Sequence, residues 1–188
     1  MEKTPTNERF LDRIWSALPG AKVVHVLRHP EAVVASRKRL EQRVTGAFRN
    51  VRQVLKDLAR SYRVAAQHSG DGDAGRHLIL RYEDVVSAPS EATRRLAAFL
   101  EIEPLPILLR PTVAGLPSSA NTSFVSSGAP GRILTDVEHA QPDILTSAER
   151  DRIAATVGDL AAVHGYVVAR GESWQSGVLG IIRRRRFR

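Results

Sequence analysis

Phe10, Leu11, Ile14, Trp15 and Leu18 recur at helical spacing, and Thr4-Pro5 ahead of them supplies a cap residue and a proline suited to the first helical position. The pattern predicts a helix from Thr4 that Pro19-Gly20 stops. Residues 22–27, Lys-Val-Val-His-Val-Leu, are mostly apolar and β-branched, which predicts a buried strand. Arg28-His29-Pro30 ends that strand, and Pro30 opens a helix expected to reach about Leu40. Val51, Val54, Leu55, Leu58, Tyr62 and Ala65 mark an amphipathic helix with a basic outer face. Residues 69–75, Ser-Gly-Asp-Gly-Asp-Ala-Gly, read as a loop. His77 to Leu80 form a second short apolar strand leading into Arg81-Tyr82-Glu83-Asp84. Pro89 then opens a helix that turns Ala92, Leu96, Phe99 and Leu100 inward.

From Pro104 to Pro142, prolines, glycines and serines are frequent, which predicts mostly loop with one short helix near Ile107. A loop that long in a compact domain usually carries function or is disordered. Thr146-x-x-Glu149 is a capping box, Ile153, Val157, Leu160 and Ala161 follow at helical spacing, and Gly165 suits the residue just past a helix end. Helices lying between apolar strands predict parallel pairing in an α/β sheet. With only two strands evident, such a sheet has open edges and a poor core, so part of the domain is expected to lie outside this sequence.

Composition narrows the class. The 188 residues are 43% hydrophobic and 26% charged, which suits one globular domain. There are no cysteines, so disulfides, thiolate metal sites and cysteine nucleophiles are excluded. That composition, with no apolar run after Met1 and no stretch near the ~20 apolar residues of a membrane span, leads to an expected cytoplasmic location. The net charge is +8, but five arginines stand in the last six residues, so the body is only mildly basic. The expected organisation is a domain over residues 1–170 and a basic tail over 171–188. Trp174, Val178, Leu179, Ile181 and Ile182 beside those arginines suit an amphipathic contact with an anionic membrane, and a frayed basic end suits them somewhat better.

The segment around residues 22–39 holds the most chemistry. Arg28 stands where a parallel strand would end, the place where open α/β sheets bind ligands, and its guanidinium can fork onto a phosphate. Helical side chains tilt toward the helix N-terminus, so the Ser36 hydroxyl can point back toward the same anion, aided by the helix dipole. Taken alone, the residues suit a capped strand and an ordinary helical serine better still.

Four segments in order shift that balance. Val-His-Val-Leu-Arg28-His-Pro30, with Ser36 eight residues after the arginine, resembles the 3′-phosphate-binding motif of sulfotransferases that use 3′-phosphoadenosine-5′-phosphosulfate. Glu2-Lys3-Thr4-Pro5 resembles an element of the same family just upstream. Arg81-Tyr82-Glu83-Asp84, with Pro89 and Ala98-Phe99-Leu100, resembles its tyrosine-bearing strand and following helix. Residues 119–124, Ser-Ala-Asn-Thr-Ser-Phe, resemble a loop of its bacterial branch. The resemblance runs from residue 2 to about 168. It implies an incomplete α/β domain of the P-loop nucleotide-hydrolase type, parallel strands flanked by helices, that moves a sulfuryl group from this co-substrate to an acceptor hydroxyl or amine without a metal.

Residue by residue, the resemblance gives Arg28 and Ser36 the 3′-phosphate, Tyr82 the adenine and Lys3 the transferring sulfuryl group. Charge builds on the leaving phosphate oxygen there, so a cation makes sense; a solvated lysine fits position 3 equally well. Tyr82 also suits a half-buried strand aromatic. Asn121 and Ser123 either line the donor or acceptor cleft or are plain loop residues.

Two departures from the family pattern stand out. The loop rich in glycine, serine and threonine that cradles the 5′-phosphosulfate is expected upstream of the Glu-Lys-Thr-Pro element, where this sequence has only Met1 and Glu2. A histidine that some members use as general base would fall at Pro5, so no base can be named. A truncated enzyme is one expectation; a non-catalytic remnant that binds adenosine 3′,5′-bisphosphate is another.

Other signals carry less. Arg49, Arg52, Lys56, Arg60 and Arg63 give some basis for nucleic-acid binding, but few aromatics interleave and Asp57 interrupts, so nucleic acid is not the expected partner. His25 and His29 lie on a strand and a turn and do not converge on a metal. Asn121-Thr122-Ser123 is a formal glycosylation sequon, read as chance without a signal peptide. Glu83 and Asp84 read as structural acids that Arg81 and Arg94 can pair with.

Overall fold

Strands β1 (Val23–Leu27) and β2 (His77–Arg81) pair in parallel, with Val23 opposite His77 and Leu27 opposite Arg81. A computed structural model gives the geometry; it describes residues 2–70, 75–113, 115–118, 131, 133 and 144–168. The chain divides into two compact units, Met1–Arg28 with Gln67–Glu138, and His29–Ala66 with His139–Arg188. The expected organisation of 1–170 and 171–188 turns on a tail that lies outside the described residues. No helix among the described residues is long and apolar enough to cross a membrane.

The first unit holds the sheet. Helices α4 (Tyr82–Ser87) and α5 (Pro89–Leu100) follow β2 directly and pack on it. A 3-10 helix at Pro106–Leu109 matches the short helix expected near Ile107, and a two-residue hairpin, β3 (Thr112–Val113) with β4 (Leu116–Pro117), comes after it. Alternation along β1 buries His25 and Leu27, while Val24 and Val26 are 36% and 54% exposed. The strand is therefore buried on one face, not throughout as its composition suggested. Successive strand side chains point to opposite faces, and only the His25–Leu27 face is covered among the described residues.

Helix α1 (Leu11–Ala17) starts later than expected, after a 3-10 turn at Asn7–Phe10. The Thr4 hydroxyl donates to the Glu2 carboxylate, and Asn7 Nδ2 donates to the same carboxylate at 2.7 Å. That ties Thr4 to Glu2 rather than to a helix amide. Leu11 and Trp15 are buried, whereas Phe10 and Leu18 are exposed.

Lys22 bolts the start of β1 to the end of α5. Its ammonium donates to the Phe99 backbone oxygen at 2.8 Å and pairs with Glu101 at 2.9 Å. A cation suits a helix C-terminus, where backbone carbonyls lack partners. Glu101 takes a left-handed φ of 58° there and ends the helix.

The second unit is helical. Helix α2 (Pro30–Thr45) starts at Pro30 as expected but runs past Leu40. It stops at Gly46, whose φ of 74° costs a glycine little. Helix α3 (Val51–Gln67) buries Leu55, Ala59, Tyr62 and Ala65. Helix α6 (Ser147–Ala162) carries the capping box: the Thr146 hydroxyl accepts from the Glu149 amide at 3.2 Å, and the Glu149 carboxylate accepts from the Thr146 amide at 2.7 Å. At its other end the amides of Gly165 and Tyr166 return to the oxygens of Ala162 and Ala161 at 3.0 and 3.1 Å. With Gly165 at φ 76°, this is a Schellman ending. Val34, Ala35, Leu55, Ala59, Leu145, Ile153 and Val157 make the core. Two ion pairs flank it, Lys38 with Glu149 at 2.7 Å and Arg150 with Glu31 at 3.0 Å.

Candidate functional site

Parallel pairing decides which residues leave the sheet together. Leu27 stands opposite Arg81 at the last register position, so the next residues, Arg28 and Tyr82, emerge side by side from the C-terminal ends of β1 and β2. An antiparallel pair would have sent them to opposite ends. Their side chains meet: the Arg28 guanidinium carbon sits 4.4 Å from the Tyr82 ring centroid. A guanidinium on an aromatic face is held by the ring quadrupole and by stacking of two planar groups. Both residues are half-buried. The arginine therefore stands at the C-terminal end of the strands, where open α/β sheets take ligands.

Tyr82 is the first residue of α4 rather than a strand residue, which corrects the expected strand aromatic. Its ring serves the neighbouring strand's terminus, a contact that spacing along the chain does not reveal.

Ser36 lies in the second turn of α2, in the other unit, and is half-buried. Its hydroxyl makes no hydrogen bond among the described residues. The α2 N-terminus has no side-chain cap, and Glu31 in its first turn is buried against Arg150. Lys3 is exposed and makes no ion pair or hydrogen bond among the described residues. Asn121 and Ser123 lie outside the described residues.

The secondary candidates sort as follows. His25 is buried 5.5 Å from His77, which in turn stands 6.2 Å from Trp15, all within the first unit. His29 instead packs edge-on to Tyr166 at 5.7 Å within the second unit, and its Nε2 lies 3.1 Å from the Val167 oxygen. Arg94 pairs with Glu91 on its own helix, not with the adjacent acids as expected. Arg49, Arg52, Lys56, Arg60 and Arg63 are all exposed.

Burial pushes the Glu149 carboxyl up, but hydrogen bonds from Lys38 and Thr146 outweigh it and hold the group below its ordinary value. Burial pushes the His164 imidazole down, partly opposed by its contact with the Tyr62 backbone oxygen.

Comparison with known proteins gives a family and a fold. A family model described as "Sulfotransferase family" matches residues 1–106. That span contains Lys3, Arg28, Ser36 and Tyr82. Among solved structures, the "Sulfotransferase Domain from the Curacin Biosynthetic Pathway" superposes with a TM-score of 0.59 at 22% identity. The match covers 89% of this chain and 62% of that one, so the chain spans less than two thirds of that structure's length. No curated protein matches the sequence at a significant level.

Proposed function

The chain belongs to the sulfotransferase family, and from that premise we propose that its reaction moves a sulfuryl group from 3′-phosphoadenosine-5′-phosphosulfate to an acceptor hydroxyl or amine. The acceptor's oxygen or nitrogen forms a bond to sulfur, the bond from sulfur to the 5′-phosphate oxygen breaks, and the acceptor loses a proton. Adenosine 3′,5′-bisphosphate leaves.

The observation that carries the reading is the place of Arg28, at the C-terminal end of β1 with its guanidinium laid over Tyr82. A guanidinium there suits the 3′-phosphate, because its planar fork can donate to two phosphate oxygens at once. Ser36 supplies a hydroxyl whose hydrogen-bonding capacity is unused among the described residues. Its role rests on its spacing from Arg28 in the family motif. The same resemblance assigns Tyr82 to the adenine, and Asn121 and Ser123 to the donor or acceptor cleft. Lys3, exposed and unengaged among the described residues, is assigned to the negative charge that builds on the leaving phosphate oxygen.

Calorimetry tests the reading. Adenosine 3′,5′-bisphosphate should bind more tightly than AMP, which lacks the 3′-phosphate. Arg28→Ala should cost about 1.5–3 kcal/mol of that binding, as expected for a charged hydrogen bond. Equal affinity for the two nucleotides would remove the assignment.

A further inference from the structure

Arg28 follows β1 and Tyr82 follows β2 as the first residue of α4, and the parallel register of the two strands sets them side by side. The guanidinium carbon is 4.4 Å from the ring centroid, well within the ~6 Å over which an aromatic face attracts a cation. An arginine side chain has several rotatable bonds and loses much rotamer freedom when a ligand fixes it. A ring that already holds the guanidinium removes part of that cost before the ligand arrives. The backbone around Tyr82 is itself tied down. The residue opens α4 straight from β2, and the last amide of that helix segment closes from Ala88 onto the Asp84 oxygen at 2.9 Å. The other end of β1 is anchored by Lys22 on the Phe99 oxygen and on Glu101. Both partners of the stack thus stand on fixed elements of one unit.

We infer that Tyr82 is a positioning residue for Arg28: beside its assigned contact with adenine, its ring pre-orients the guanidinium and so adds to recognition of the 3′-phosphate in particular. The inference rests on the reading of Arg28 as the 3′-phosphate ligand. A ring that only touched adenine would help every adenine nucleotide alike. A ring that also acts through Arg28 gives an extra gain to ligands carrying the 3′-phosphate, and that extra gain vanishes when the guanidinium is gone.

The experiment uses the 188-residue chain, its Tyr82→Phe, Tyr82→Leu and Arg28→Ala variants, and the Arg28→Ala, Tyr82→Leu double variant. Should Tyr82→Leu fail to fold by circular dichroism, Tyr82→His measured at pH 8 replaces it, since the ring stays planar but is a poorer π-donor. Calorimetry with adenosine 3′,5′-bisphosphate and with AMP is the first readout. Tyr82→Leu is expected to weaken the bisphosphate about tenfold more than AMP, Tyr82→Phe to stay within about threefold of the parent, and Tyr82→Leu to add no selective loss in the Arg28→Ala background. The second readout needs no nucleotide: the Arg28 Nε–Hε NMR signal, shifted by the ring current, should hold its position in Tyr82→Phe and move in Tyr82→Leu. Equal losses for the two nucleotides, or a selective loss that persists without Arg28, would overturn the inference. So would an NMR signal indifferent to the ring. If the NMR signal responds but the parent chain does not prefer the bisphosphate, the stack is real and the nucleotide reading has failed, which also ends the inferred role.

Discussion

The ammonium of Lys38 lies 2.7 and 2.9 Å from the two carboxylate oxygens of Glu149 and donates a third hydrogen bond to the Ile144 backbone oxygen at 2.9 Å. All three ammonium protons have acceptors, which is what a nearly buried lysine requires. The pair joins α2 to the start of α6. Replacing Lys38 by Met should destabilise the protein by about 2–3 kcal/mol, below the ~3–5 kcal/mol of a fully buried pair because solvent still reaches both groups. Urea denaturation of Lys38→Met, Glu149→Gln and the double variant gives the coupling. The two single losses should not add, and full additivity would show that the contact contributes nothing.

The Glu149 carboxylate also closes the capping box with Thr146. Thr146→Ala removes the hydroxyl that accepts from the Glu149 amide. It should lower stability by about 1 kcal/mol, whereas Thr146→Ser should be nearly neutral. Thermal melts of the two variants check the contrast.

Acid should weaken this unit in two stages. Burial, only partly opposed by the Tyr62 oxygen, leaves His164 with a folded pKa below its ordinary 6.5, so the fold favours neutral imidazole. Its contribution is present above that value and is lost as pH falls past it toward the folded pKa. Despite burial, Lys38 and Thr146 hold Glu149 below its ordinary 4.5. That contribution is present above 4.5 and is lost as pH falls further. The urea midpoint should therefore decline between pH 7.5 and 5.5, and His164→Phe should flatten that first decline. A midpoint independent of pH over this range would contradict the assignment.

Core and sheet face should respond differently to truncation. Ile153 is fully buried in the helical core, so Ile153→Ala should cost about 2–5 kcal/mol. Val26 is 54% exposed on β1, so Val26→Thr should stay within about 0.5 kcal/mol. A large loss at Val26 in the same urea assay would mean that its face of the sheet is covered in solution.

Local signals were legible in the sequence where one residue type answers one backbone need. The Thr146–Glu149 box and the glycine at position 165 were readable because caps and left-handed turns select residues within a few positions. The helical spacing of Val51 to Ala65 marked the buried face of α3 for the same reason. Thr4 misled because its hydroxyl had a competing acceptor in Glu2, so the cap signal was spent elsewhere. Val24 and Val26 misled because β-branched residues suit a strand whether or not its second face is covered. Nothing in the local sequence marks the pairing of Lys38, since the carboxylate that neutralises it arrives from a distant helix.

By itself, then, the sequence determined the main helices and the two paired strands in order, the Thr146–Glu149 cap, the absence of cysteine chemistry, and the family to which Arg28, Ser36 and their neighbouring motifs pointed. Those properties depend on residue type and short spacing, which the chain carries in one dimension. Tertiary structure decided the register that sets Leu27 opposite Arg81, and with it the meeting of Arg28 and Tyr82. It also decided which face of β1 is covered and which carboxylate meets Lys38. Each of these depends on where two remote segments pack, and a strand shifted by one residue would have turned every one of its side chains to the other face.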